Sequence, residues 1–192
     1  MVQVISGSFR NRRLISPKGI ATRPTTSQVR QAVFNICQNE VEGSSFLDIC
    51  AGSGSVGIEA ISRGALHATF IEHDRFALSA IFENIKALGI ETQVKVYALE
   101  AVACIKRLTK KPEIYQIAYF DPPYSRQNER NHFVTDVLQI LDESALIAPQ
   151  GLLFLEESAY FKEETLALKT LTLKSKRHFG DSFLFCFEKA SQ

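Results

Sequence analysis

The segment Asp121-Pro122-Pro123-Tyr124 joins a carboxylate, two prolines and an aromatic ring directly after the apolar run 114–120. The run predicts a buried strand, and the prolines restrict φ and remove backbone donors, so the turn after it is stiff. Such a turn offers an acceptor carboxylate, backbone carbonyls and a flat π face, which suit a planar group carrying an NH₂. The same residues would also suit a plain strand-to-helix turn with a capping Asp and a surface Tyr.

A second turn of chemical interest follows the predicted strand Phe46–Cys50. The segment Gly52-Ser53-Gly54-Ser55-Val56-Gly57 has the spacing GxGxxG and opens a predicted helix. Its glycines allow a tight turn and close approach of the backbone to a ligand, and Glu72, at the end of the next strand, can accept both ribose hydroxyls. A nucleoside cofactor is therefore expected at Gly52, Ser53, Gly54 and Glu72.

Two further acidic positions bear on the identity of that cofactor. Asp48 lies inside the end of the first strand, where a carboxylate would repel the pyrophosphate of NAD but attract the ammonium group of S-adenosylmethionine. Glu100 and Ala101 follow the third strand and are placed to reach the adenine edge. Glu100 also fits an acid that the next helix dipole favours at its N-terminus. On balance these positions favour S-adenosylmethionine over NAD.

Apolar runs and helical patterns alternate along the rest of the chain. Five strands are predicted, at Phe46–Cys50, Ala68–Ile71, Gln93–Ala98, Ile114–Phe120 and Gly151–Leu155. Four helices separate them, at Ser55–Arg63, Arg75–Leu88, Ala101–Leu108 and Asn131–Leu141. This order is typical of βαβ units, with a parallel sheet and helices on both faces. A closing antiparallel hairpin, Leu171–Lys174 and Ser182–Glu188, makes the predicted α/β sheet seven-stranded and mostly parallel.

The N-terminal segment follows a different pattern. Val2–Ile5 and Arg13–Ile15 predict a small hairpin, and Ser27–Asn39 predicts an amphipathic helix. A Gly-Ser joint follows that helix. We therefore expect a small hairpin-and-helix appendage at 1–43 and the main domain at 44–192.

Charge is distributed unevenly along a chain whose net charge is only +1. Residues 1–39 contain six basic and no acidic side chains, for a charge of +6, whereas the remaining chain carries −5. We call residues 1–39 the basic arm. A basic arm on a near-neutral body indicates contact with a polyanion, although a short basic stretch can also be only a solvated face.

Composition excludes several classes of protein. The 192 residues, 45% of them hydrophobic, suit one globular domain with a small appendage. No apolar stretch is long enough to cross a membrane and the N-terminus lacks a signal-peptide core, so a cytoplasmic protein is expected. The four cysteines form no CxxC pair, and the four histidines show no metal-ligand spacing. We therefore expect reduced thiols and no metal.

The motifs together resemble a known family. The DPPY turn and the glycine loop look like those of class I S-adenosylmethionine-dependent N-methyltransferases. The segments 4–14, VISGSFRNRRL, and 23–35, RPTTSQVRQAVFN, resemble the RsmD family of bacterial 16S ribosomal RNA guanine-N2 methyltransferases, and the likeness spans nearly the whole chain. Three positions depart from the family pattern: Asn11 replaces a usual Gly, Ser8 the second Gly of a turn, and Gln31 a usual acid.

The resemblance implies a Rossmann-like class I methyltransferase fold, S-adenosylmethionine as methyl donor, and 16S ribosomal RNA in the small subunit or its assembly intermediate as partner. Asp121 and the carbonyl of Pro122 would accept the hydrogens of the guanine amine, and Tyr124 would stack on the base. A monomer is expected. The arginines that would hold phosphates are Arg10, Arg12, Arg13, Arg23 and Arg30, although Arg23 and Arg30 could instead brace the appendage against the main domain.

Other functions stay open at this point. The same chemistry could act on another amine, such as a DNA adenine or a protein glutamine, although the N-terminal segments argue against it. An NAD-type oxidoreductase would need a proton-relay residue near the nicotinamide, and the sequence offers none that stands out. A catalytically silent RNA-binding protein would not need an intact DPPY turn.

Overall fold

A computed structural model describes residues 2–17, 26–111, 113–123, 127–158, 161 and 166–191, with side chains described throughout except at 127–131. Its strands are β1 Val2–Gln3, β2 Arg13–Leu14, β3 Ser45–Ile49, β4 His67–Glu72, β5 Val94–Ala98, β6 Tyr115–Phe120, β7 Ile147–Ser158, β8 Leu171–Phe179 and β9 Ser182–Lys189. Its α-helices are α1 Ser27–Ile36, α2 Ser55–Ser62, α3 Arg75–Leu88, α4 Ala101–Leu108 and α5 Gln127–Glu143, and Glu91–Gln93 forms a turn of 3₁₀ helix.

The main sheet has seven strands in the order β5-β4-β3-β6-β7-β9-β8. Strands β3 to β7 pair in parallel, and β9 pairs antiparallel with both β7 and β8. The strands β1 and β2 form a separate antiparallel pair. The predicted parallel α/β sheet, its C-terminal hairpin and the N-terminal hairpin are all confirmed.

Helices cover both faces of the sheet, as the alternating pattern predicted. Apolar side chains of α1, α2 and α3 form one buried cluster with residues such as Phe46 and Phe70, and those of α4 and α5 form a second with Leu47 and Phe120. Alternate residues of each strand therefore enter opposite clusters, which is the period of two expected of a strand. Because both faces are covered, the central strands β3 and β6 are buried almost throughout, whereas the edge strand β8 is mostly polar and exposed.

Element ends differ from the sequence prediction in a few places. The first helix ends at Ile36 rather than Asn39, because a turn in which both Glu40 and Val41 donate to the Cys37 carbonyl replaces the next helical turn. Strand β7 is longer than predicted at both ends. Its polar C-terminal residues, from Glu156 to Ser158, are retained in the sheet by pairing with β9.

The hairpin of the basic arm packs closely on α2. Asn11 takes the left-handed φ of 66° that a hairpin turn can require of Asn. Gly7, with a φ of 84°, lies so near α2 that an added Cβ would stand 1.8 Å from the Ser62 carbonyl oxygen. The backbone amide of Phe9 donates to Ser62 Oγ at 3.0 Å. The hairpin is therefore held to the body by backbone contacts that tolerate no side chain at Gly7.

Glu59 of α2 is the centre of this attachment and is fully buried. Its two carboxylate oxygens accept the backbone amides of Ile5 at 2.7 Å and Ser6 at 2.9 Å. Arg63 Nε donates to the same carboxylate at 2.8 Å, and Arg30 Nε lies 3.7 Å from it. The Glu59 carboxylate is thus the counter-charge of the buried Arg30, and it also fixes the backbone of the arm at Ile5 and Ser6.

We predict that Glu59→Gln destabilises the protein by about 3 to 5 kcal/mol, because it leaves the buried Arg30 guanidinium without its counter-charge. Urea unfolding measures the change. Glu83→Gln, on the exposed side of α3, is the matched control and should change the free energy of unfolding by about 0.5 kcal/mol or less. Equal effects of the two substitutions would contradict the role of Glu59.

Candidate cofactor and amine site

Four acidic side chains converge at the carboxyl ends of β3, β4, β5 and β6. Their common neighbour is Cys50, the residue after β3, which takes a left-handed φ of 61°. Burial raises the pKa of the Cys50 thiol well above its usual value, and the carboxylates of Glu72, Asp121, Asp48 and Glu100 raise it further. The four acids that the sequence analysis selected from separate segments therefore surround one point of the sheet edge.

The glycine loop runs along this edge. Gly52 and Gly54 have left-handed φ values of 55° and 74°, and Gly54 is the N-cap of α2. A Cβ built on Gly52 would meet nothing within 4 Å, so this side of the loop is open. A Cβ on Gly57 would instead stand 2.4 Å from the Phe70 ring. The first glycine therefore leaves room for a ligand, and the last allows α2 to pack closely on the sheet.

Glu72 is fixed against this loop by three backbone amides. Its Oε2 accepts the Gly52 amide at 2.8 Å, and its Oε1 accepts those of His73 at 2.7 Å and Asp74 at 2.9 Å. The side chain is almost fully buried. A carboxylate held in this way keeps its orientation toward the open side of Gly52, and its predicted contact with ribose stays a prediction.

Asp48 lies beneath the loop and is only 1% exposed. Its Oδ2 accepts the Gly57 amide at 2.9 Å, in the first turn of α2. Burial raises the pKa of Asp48 to about 8 and the nearby Glu72 adds to this rise, while the Gly57 hydrogen bond opposes it. The residue thus ties β3 to α2 from inside the site, and its contact with an ammonium group is likewise untested.

The part of the site around Glu100 contains a residue that the sequence analysis did not select. Glu100 precedes α4 as its N-cap and is largely exposed, and Ala101 is the buried first residue of that helix. The imidazole of His73 lies between two acids, with Nδ1 3.7 Å from Glu72 Oε1 and Nε2 3.5 Å from Glu100 Oε1. The position of His73 directly after Glu72 was the sequence signal that could have identified it.

The DPPY segment, which starts at Asp121, begins where β6 ends. The Asp121 amide donates to the Ile49 carbonyl at 3.3 Å, which continues the contact of β6 with β3 by one residue. Asp121 is half-buried, Pro122 is buried and Pro123 is exposed. Tyr124 lies outside the described residues. The hydrogen bond to Ile49 places Asp121 directly beside the start of the glycine loop.

Asn84 is a second residue that the sequence analysis missed. It is buried on α3, accepts the Ile15 amide at 2.8 Å and donates to the carbonyls of Ile15 at 3.0 Å and Ser53 at 3.1 Å. One side chain therefore joins the basic arm to the glycine loop. The sequence signal for Asn84 was its polar side chain on the apolar face of a predicted helix, between Ile81 and Ile85.

The arginines of the basic arm separate into two groups. Arg10, Arg12 and Arg13 are exposed, and Arg12 also donates to the Ala87 carbonyl at 3.2 Å. Arg30 is 2% exposed and donates to the Gln3 carbonyl at 2.7 Å, which favours the second of its two expected roles, to brace the appendage, over contact with RNA. Burial lowers its pKa, and the charge of Glu59 opposes this. Arg23 lies outside the described residues.

The four cysteines are free thiols, and three of them are buried. Within the described ranges, no three or more His, Cys, Asp or Glu side chains are grouped so as to hold a metal ion. The helices in the same ranges include none with the length and apolarity needed to cross a bilayer.

We predict that Asp48→Asn gains stability relative to the unsubstituted protein as pH rises from 5 to 7. In the unfolded chain Asp48 has its ordinary pKa of 3.8, whereas burial raises its pKa in the folded protein to about 8. Over this interval the folded state binds more protons, so the original protein loses up to about 1.4 kcal/mol per pH unit through this group.

Urea unfolding of both proteins at several pH values measures the difference. The exposed Asp136→Asn is the control and should show no such trend. Parallel pH profiles for Asp48→Asn and the unsubstituted protein would contradict the raised pKa.

Comparison with known proteins agrees with this geometry. A family model described as Conserved hypothetical protein 95 matches residues 2–188. The ribosomal RNA small subunit methyltransferase D of Buchnera aphidicola (subsp. Acyrthosiphon pisum) is 32% identical over 177 residues, covering 92% of this chain and 87% of the relative. That of Escherichia coli K12 is 31% identical over 157 residues, covering 81% and 74%.

The solved structure of the Escherichia coli protein yhhF superposes with a TM-score of 0.83 at 26% identity and covers 100% of this chain and 99% of that one. The sheet order and this likeness confirm the predicted class I methyltransferase fold. The match of the family model over nearly the whole length, together with these relatives, shows that the chain belongs to the Conserved hypothetical protein 95 family, which is the RsmD family.

Proposed function

We propose that this protein transfers a methyl group from S-adenosylmethionine to the exocyclic N2 amine of a guanine in 16S ribosomal RNA. The observation that carries the proposal is the hydrogen bond from the Asp121 amide to the Ile49 carbonyl, which sets an amine-accepting turn against a glycine loop. The names of the RsmD-family relatives support ribosomal RNA of the small subunit as the substrate.

The residues around the glycine loop fit S-adenosylmethionine. Gly52 has open space where a Cβ would stand, and Glu72 is held beside it to accept the ribose hydroxyls. Asp48 would attract the ammonium group from below, and Glu100 with Ala101 would face the adenine. When bound there, the cofactor supplies a methyl group activated by a sulfonium charge.

Asp121 and Pro122 would act on the amine. The lone pair of an exocyclic guanine nitrogen is delocalised into the ring, so the nitrogen is a weak nucleophile. Hydrogen bonds from its two hydrogens to the Asp121 carboxylate and the Pro122 carbonyl favour a pyramidal nitrogen, and Asp121 can take the proton that the nitrogen loses. Positioning of the two reactants can contribute about 7 to 11 kcal/mol to such a reaction.

Tyr124 would hold the base by stacking on it. An aromatic stack of this kind contributes about 1 to 3 kcal/mol per base. A guanine within a structured RNA must leave its stack to enter such a site, unless it is already exposed. Asp121, Pro122 and Tyr124 together would therefore form a clamp for one extruded base.

The basic arm would hold the RNA outside this clamp. Arg10, Arg12 and Arg13 are exposed and suit phosphate contacts, which give affinity and orientation without reading sequence. In this proposal the appendage 1–43 faces the RNA and the domain 44–192 carries the chemistry. The protein would act as a cytoplasmic monomer, without a metal, on the small ribosomal subunit or its assembly intermediate.

We predict that Asp121→Ala reduces methyl transfer at least about 100-fold, the range for loss of one acid-base group. Labelled methyl transfer to 16S RNA and to small subunits measures the rate, and mapping of the modified nucleotide tests the guanine N2 assignment. Asp136→Ala, an exposed substitution on α5, should leave the rate unchanged.

Thermal shifts give the control for cofactor binding. S-adenosylhomocysteine should raise the melting temperature of both the Asp121→Ala variant and the unsubstituted protein, because a ligand at 100 times its Kd adds about 2.7 kcal/mol. NAD should not raise it. Normal turnover of Asp121→Ala would remove this residue from the mechanism, and a shift with NAD alone would remove the methyltransferase proposal.

We predict that joint substitution of Arg10, Arg12 and Arg13 by Gln weakens RNA binding and flattens its salt dependence. Each lost phosphate contact should reduce the slope of log K against log salt by about 0.7 to 0.9. Joint substitution of Lys106, Arg107 and Lys110 by Gln removes the same charge from α4 and the turn after it, and is the matched control. Equal slopes for the two triple variants would show that the arm does not bind phosphate.

A further inference from the structure

Glu156 is a buried carboxylate that the proposed chemistry does not yet use. It is 7% exposed and lies near the end of β7, which pairs in parallel with β6. The register aligns Phe120 with Leu155, so continuing it by one residue sets Asp121 beside Glu156. In-register neighbours on parallel strands direct their side chains to the same face, and adjacent strands are about 4.8 Å apart. Continued register therefore brings the backbone positions of two acidic residues next to each other at the end of β6.

Two hydroxyl groups orient Glu156. Tyr119 Oη donates to its Oε2 at 2.7 Å, and Ser182 Oγ donates to its Oε1 at 3.1 Å. Each oxygen keeps a further lone pair that can accept another hydrogen. Among the described residues, no Lys or Arg forms an ion pair with Glu156. The remaining lone pairs leave Glu156 able to accept from a further partner.

The chemistry of guanine supplies such a partner. Its N1–H and its N2 amine are neighbouring donors on one edge of the base, and two neighbouring carboxylates can accept from both. Adenine has an unprotonated N1 on that edge. The lone pair of this N1 would face a lone pair of the carboxylate, and the two would repel each other. The Asp121 and Glu156 pair therefore matches the edge of guanine and opposes that of adenine.

We propose that Glu156 is a specificity-determining residue that accepts the N1–H of the target guanine while Asp121 accepts from its N2 amine. The inference rests on the proposed function and deepens it, because it explains the choice of base. The N1 proton stays on the ring throughout. Tyr119 and Ser182 act through Glu156 as positioning residues.

The test compares two RNA substrates that differ at the target base. One contains guanine, and the other contains 2-aminopurine, which keeps the 2-amine but has an unprotonated N1. The unsubstituted protein should prefer guanine at least 100-fold in kcat/KM. Glu156→Gln should narrow this preference below 10-fold, because its amide can donate to the N1 of 2-aminopurine but no longer offers a charged acceptor to guanine.

Two further variants keep the test decisive. Glu188→Gln, a partly exposed residue of β9, is the matched control and should keep the full preference. Tyr119→Phe retains the ring and removes one orienting hydroxyl, so it should lower the preference several-fold without changing the affinity for S-adenosylhomocysteine. If Glu156→Gln does not fold, the preference of Tyr119→Phe for guanine over 2-aminopurine tests the role of Glu156.

The possible outcomes separate this inference from the proposed function. Preference for guanine that persists in both Glu156→Gln and Tyr119→Phe would overturn the role of Glu156 and leave the methyltransferase function standing. Absence of transfer to guanine N2 by the unsubstituted protein, on RNA and on small subunits, would overturn the proposed function and this inference with it.

Discussion

The parallel pairing of β3 with β6 is the constraint on which the site depends. These central strands end side by side, and the hydrogen bond from the Asp121 amide to the Ile49 carbonyl extends their contact beyond the last strand residue. A loop that follows β3 and a turn that follows β6 must then adjoin, whatever their own residues are. Parallel sheets generally bind ligands at the carboxyl ends of their strands. In this chain, the pairing of β3 with β6 brings the two loops of the candidate site together at that edge.

The described parts of the basic arm, 2–17 and 26–39, belong to the folded body rather than to a loose polar tail. Glu59 holds its first turn, and Asn84 binds Ile15 while also holding the Ser53 carbonyl of the glycine loop. Buried polar groups of this kind are stable only when their partners are complete. Displacement of the arm would therefore leave polar groups unpaired next to the glycine loop, so Asn84 links the position of the arm to that of the loop.

Local signals made much of the fold predictable from sequence. The bounds of α3 were predicted correctly because Asp74 caps its first turn and Gly89, in a left-handed conformation, ends it. The inward position of Arg30 depended instead on Glu59, which is distant in sequence, and a basic residue in a basic segment gave no sign of burial. The place of Glu156 beside Asp121 follows only from strand register, which no local pattern specifies.

The distribution of charge explains why the arm and the site are separate. The carboxylates of Glu72, Glu100 and Asp121 make the sheet edge acidic, which suits a cationic methyl donor but repels phosphate. The phosphates of an RNA backbone would therefore be repelled from the site, whereas an uncharged base could enter it with little electrostatic repulsion. In the proposed function, the positive charge that would hold the RNA must then lie elsewhere, and the exposed Arg10, Arg12 and Arg13 would supply it.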